Sequence, residues 1–114
     1  MNFKLQIITK NYETSNSDFL EIADENLAIK EIQKNKLTNL MIEKKFVFKC
    51  ETANIFNSFF DKLTENEITS FKLLSNTDEV IFEKTDIKDT EYSVFSRNTE
   101  EIKTVEIVFF EYKN

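Results

Sequence analysis

The sequence predicts an α+β fold: an antiparallel, meander-like sheet of about seven to eight strands packed against one main helix at about residues 52–65. Three observations predict it. Apolar residues recur at every second position in several segments, the period of a half-buried strand. A single stretch switches to the helical period. The segments are joined by short polar connections, which suit antiparallel neighbours. A chain of 114 residues fits one globular domain spanning 1–114.

Phe3, Leu5 and Ile7 alternate with Lys4, Gln6 and Ile8 and open the chain as a strand. Thr14–Asp18 reads as a polar loop. The stretch 19–33 has two readings. Leu20 and Ile22, then Leu27 and Ile29, alternate as two short strands of a hairpin turning at Asp24-Glu25-Asn26; the Glu, Leu, Ala and Lys content, with Asp18 and Glu21, allows a helix instead. The hairpin is the expectation. Leu40, Ile42, Lys44, Phe46, Phe48 and Cys50 share one face of an extended segment, and Lys44 predicts a turn or bulge near residues 43–45. Ile55, Phe56, Phe59, Phe60 and Leu63 then form a helical stripe that no strand face could produce, with Thr52 as N-cap. Four further strands are expected at 69–74, 79–84, 91–96 and 102–112, with turns at 75–78, 86–89 and 97–100. The last of them is apolar on both faces, so it is expected at the centre of a sheet, covered on both sides, rather than at an edge.

The composition excludes much chemistry. There is no Gly, Pro, His or Trp, and one Cys. Without glycine the chain has no phosphate-cradling loop of the GxxxxGK[ST] or GxGxxG type, no Gly-x-Ser-x-Gly nucleophile elbow and no ordinary EF-hand loop. Without histidine it lacks the commonest general base and the commonest zinc ligand. A lone Cys50 makes neither an internal disulfide nor a structural zinc site, and its place beside Phe46 and Phe48 reads as a small buried hydrophobe. No cofactor, metal or catalytic residue is expected. The enzymatic alternative is carboxylates working with a divalent metal, though spacing alone does not show which of them converge. Tyr12, Tyr92 and Tyr112 read as half-buried, and Arg97 as a solvated turn residue.

Lysine and asparagine are abundant, only three alanines occur, and Arg97 is the single arginine, the usage AT-rich codons produce. A bacterial or mobile-genetic-element origin and a cytoplasmic location, in a bacterial cell or a host, are the expectation. No signal peptide and no membrane-spanning run is read from the chain.

The formal charge is −6, and residues 58–114 supply all of it. Direct nucleic-acid binding, which needs clustered cations, is therefore not expected, and a protein partner with a basic surface is. The expected contact residues are Asp78, Glu79, Glu83, Asp86, Asp89, Glu91, Glu100, Glu101, Glu106 and Glu111. Compact, acidic, catalytically bare chains of this kind suit inhibitors that mask a nucleic-acid-binding groove: nuclease inhibitors, anti-CRISPR-type proteins and toxin-immunity proteins. The alternative is a structural protein that forms homo-oligomers through its C-terminal strand, using Ile102, Val108, Phe110 and Tyr112.

Overall fold

The structure, a computed structural model, describes residues 2–11, 14–36 and 39–113. It is α+β, with eight antiparallel strands and one helix. The strands are β1 (Asn2–Asn11), β2 (Thr14–Ala23), β3 (Leu27–Lys36), β4 (Asn39–Lys49), β5 (Glu67–Leu74), β6 (Val80–Lys84), β7 (Tyr92–Asn98) and β8 (Lys103–Lys113); the helix α1 (Ala53–Glu65) separates β4 from β5. They form two sheets of four, ordered β2-β1-β5-β6 and β3-β4-β8-β7.

The two halves of the chain repeat one topology. Each is a hairpin, a single 3₁₀ turn (Asp24–Asn26 or Asp89–Glu91) and a second hairpin in the other sheet. The first sheet joins hairpin β1–β2 to β5–β6 through β1 and β5; the second joins β3–β4 to β7–β8 through β4 and β8. This replaces the expected meander. The 24–26 segment is a turn between strands, as expected, but β2 and β3 do not pair with each other: the chain leaves one sheet and enters the other there. The same change of sheet occurs over residues 85–91.

Between the sheets lies an aromatic core. The Phe46 ring is within 4.9 Å of both Phe71 and Phe82, and Phe109 lies 5.0 Å from Phe71. Leu5, Ile7, Ile68, Leu73, Val105 and Ile107 complete it, all essentially without exposed surface. Offset and edge-on ring pairs of this kind add about 0.5–1.5 kcal/mol each beyond their area burial. The helix closes the core with Phe56 and Leu63, while its other faces stay exposed. Its first turn is fixed by Thr52, whose Oγ1 accepts from the Ile55 amide at 3.1 Å. Lys62 then reaches Asp18 of β2 at 2.8 Å and ties the helix to the first sheet.

Three local expectations are corrected. Thr14–Asp18 is the start of β2 rather than a loop, laddered to β1 from Asn11↔Thr14 onward; its polarity is that of an edge strand. No bulge interrupts 43–45, for β4 keeps an unbroken register with both neighbours and Lys44 stands opposite Glu31 of β3. Arg97 is in β7, opposite Thr104, rather than in a turn. The irregularity instead falls in β5, where the register with β1 shifts between Ile8 and Thr9. There Thr69 Oγ1 donates to the Ile8 carbonyl at 3.2 Å, and the Thr69 carbonyl accepts from the Ile87 amide at 3.0 Å, anchoring the 85–91 connection. Asp78 and Asp86 hold positive φ, 66° and 51°, taking the left-handed positions that glycine would otherwise fill.

As expected, β8 is central, flanked by β4 and β7. Val105, Ile107 and Phe109 enter the core, but the expected cover on the other side is not found: the two sheets face each other across the core, and among the described residues no second sheet lies over that face, where Tyr112 is 62% exposed. No helix among the described residues is long and apolar enough to cross a membrane.

Candidate functional site

The ten carboxylates singled out from the sequence divide by location. Asp78 and Glu79 lie at the β5–β6 turn, Asp86, Asp89 and Glu91 in the β6–β7 connection, and Glu100 and Glu101 in the β7–β8 turn. Glu83 is on β6, and Glu106 and Glu111 are on opposite faces of β8. Three are tied to lysines. Asp78 meets Lys4 at 2.7 Å, which also raises the lysine's pKa; Glu83 meets Lys72 at 3.5 Å; Glu91 meets Lys84 at 3.4 Å. Glu79, Asp86, Asp89, Glu100 and Glu101 are exposed and make no ion pair among the described residues.

One cleft draws part of this set together. It has a volume of about 600 Å³ and lies where β6 passes over the inner face of the second sheet. Ile42, Phe82 and Phe109 form its apolar floor, and Glu31, Glu91 and Glu111 stand around it with Lys44 and Lys84. Register explains the convergence. Glu31 faces Lys44 across β3–β4, and Ile42 faces Glu111 across β4–β8, so all four share the face that carries Phe46 and Phe109 further along. Glu83 borders the cleft from the β6 edge with its carboxylate directed to Lys72.

Glu91 is the most constrained of these acids. Its Oε1 accepts from the Lys88 amide at 2.9 Å and its Oε2 lies near Lys84, and these contacts, the backbone bond foremost, hold its carboxyl below the usual range. Lys84 in turn sits 5.9 Å from the centroid of the Phe109 ring, so the floor of the cleft already hosts one cation over an aromatic face. Next to it, the Tyr92 hydroxyl accepts from the Ile68 amide at 2.9 Å, and burial pushes its pKa up. Glu31 was missed from the sequence. Its parity with Leu27 and Ile29 was readable, but its meeting with Glu111 requires the strand order.

The self-association set is divided differently. Val108 faces outward yet is only 2% exposed, covered by neighbouring side chains, and offers no contact area. Phe110 is half-buried, Tyr112 is 62% exposed, and Ile102 lies in the turn before β8.

A second concavity, of about 660 Å³, runs between α1 and the end of β2, floored by Leu20, Ile22, Phe48 and Phe59. Cys50 lines it, and burial raises the thiol's pKa, the opposite of what a reactive thiolate needs. Tyr12 lies outside the described residues. Among the described residues, no group of three or more Cys, Asp or Glu side chains is placed to hold a metal ion.

The lysines, which the net charge concealed, are segregated. The β3–β4 hairpin, residues 27–49, holds six lysines and two glutamates, a net of +4, leaving −10 over the rest of the chain. No family model, curated protein or solved structure matches the chain.

Proposed function

We propose that this chain is a non-catalytic binding protein that docks an acidic surface onto a basic protein partner, as an inhibitor masking a nucleic-acid-binding groove would. The observation behind this reading is the cleft bounded by Glu31, Glu91 and Glu111 over Phe82 and Phe109. Glu91 is already held by Lys84, but Glu31 and Glu111 make no ion pair among the described residues and suit a guanidinium or ammonium group, and the apolar floor beside them suits the aliphatic stem of the same side chain. The exposed acids of the turns, Glu79, Asp86, Asp89, Glu100 and Glu101, add a long-range field that speeds encounter with a cationic surface without a contact of their own.

The test is a pull-down against basic nucleic-acid-binding proteins at rising salt, followed by titration of the captured partner with wild type and with the double variant Glu31→Gln/Glu111→Gln. Both residues are exposed, so the fold stands. Binding should weaken steeply with salt, and the double variant should bind several-fold more weakly. Salt-insensitive capture, or equal affinity for the two proteins, overturns the proposal.

A further inference from the structure

The outward face of the second sheet has the opposite chemistry from the rest of the molecule. Cross-strand register places Lys30 and Lys34 of β3, Lys45 and Lys49 of β4 and Arg97 of β7 on it, against only Glu43 and Glu106, a local net of +3. Glu43 is buried and held between Lys34 at 3.1 Å and Lys45 at 3.8 Å. Lys30 and Lys45 stand directly opposite each other, an arrangement that destabilises a bare sheet; Glu43 offsets Lys45 in part, while Lys30 makes no ion pair among the described residues.

Aromatic rings occupy the same face on the other side of the sheet midline. Phe95 of β7 lies beside Glu106, and Phe110 and Tyr112 follow along β8. Phe95 is 52% and Tyr112 62% exposed, unusual for large side chains with no layer to cover them. Apart from Arg97 at one end of β7, the face therefore has two parallel tracks: rings on the β7–β8 side and lysines on the β3–β4 side, one to two strand spacings away, about 5–10 Å. From the row of Phe95 to that of Tyr112 is six residues of strand, about 20 Å.

We propose that this face binds single-stranded nucleic acid, with bases stacked on Tyr112, Phe110 and Phe95 and the phosphate backbone following Lys30, Lys45 and their neighbours. The charge complementarity is to a linear polyanion, and the rings select one whose bases are unpaired. The overall charge of −6 argues against phosphate binding only when averaged, because condensed-ion release depends on the cations at the contact. The surface is distinct from the acidic cleft, so the two proposals stand or fall separately.

Fluorescence anisotropy of a labelled ten-residue oligothymidylate tests it, with a duplex of the same length as comparison. Three to five phosphate contacts predict that affinity falls about 20- to 100-fold between 50 and 200 mM salt. Tyr112→Ala should weaken single-strand binding about 5- to 100-fold, and Lys30→Glu/Lys45→Glu should abolish it, while thermal denaturation confirms that each variant folds. The proposal is overturned if no binding is seen at 50 mM salt, or if duplex binds as well as single strand and Tyr112→Ala has no effect. It is equally overturned if light scattering shows a dimer that Tyr112→Ala dissociates, for then a second copy occupies the face.

Discussion

Replacing Tyr92 by Phe removes one oxygen and leaves the ring. That oxygen is the acceptor for the Ile68 amide, at 2.9 Å, and Ile68 has no exposed side-chain surface. The amide sits at the start of β5, beside the register shift, where the ladder to β1 is irregular. Leaving a part-buried donor without its partner costs about 1–2 kcal/mol. For a chain of this length that lowers Tm by about 4–8 °C. The ring's packing against Phe109, 6.4 Å between centroids, should survive, so Tyr92→Leu should cost clearly more than Tyr92→Phe. A pH signature accompanies the loss. Burial raises the Tyr92 pKa, outweighing the Ile68 bond that lowers it, and Glu67 and Asp89 push the same way as burial. A group raised in the folded state contributes stability that is full below its unfolded pKa, about 10, and is lost as pH rises through the folded value. Wild type should therefore lose stability above pH 10 faster than Tyr92→Phe. Urea unfolding at pH 7 and pH 10.5, with hydrogen exchange of the Ile68 amide, measures both effects. Equal stability of the two proteins at pH 7 with unchanged Ile68 protection would refute the reasoning.

Two further outcomes concern the helix and the thiol. Thr52→Ala should lower stability by about 1 kcal/mol in chemical denaturation, whereas Thr52→Ser, which keeps the acceptor for Ile55, should lie within a few tenths of wild type. Cys50, 8% exposed and with its pKa raised by burial, should react with a disulfide reagent at pH 8 far more slowly than in urea; equal rates would show the α1–β2 concavity to be open enough to solvate the thiol.

The helix was legible because its signal is local. Phe56, Phe59, Phe60 and Leu63 have a period only a helix satisfies, and Thr52 stands at the right offset to cap it. The strands were legible by alternation, but their partners were not. Nothing in Leu20–Ile29 distinguishes a hairpin from a chain that changes sheets at Asp24–Asn26, since both bury the same alternate residues. Lys44 breaks the apolar face in sequence, but the strand residue opposite it, Glu31, is set by a pairing the sequence does not show. The same limit applies to the site. Exposure of the turn acids follows from their position, while the meeting of Glu31, Glu91 and Glu111 depends on which strands stack. The cationic face was hidden by summing charge over the chain instead of over a hairpin.

The repeated hairpin pairs bear on how the chain reaches this state. Each hairpin can close early, for its ladder joins near neighbours. The two seams are another matter: Leu5 meets Leu73 and Phe46 meets Ile107, partners more than sixty residues apart. Docking one half against the other must wait for that long loop to close, so folding belongs on the millisecond-to-second scale of non-local β proteins. A chain severed within α1 would yield two pieces, each with unpaired seam strands and neither able to fold alone.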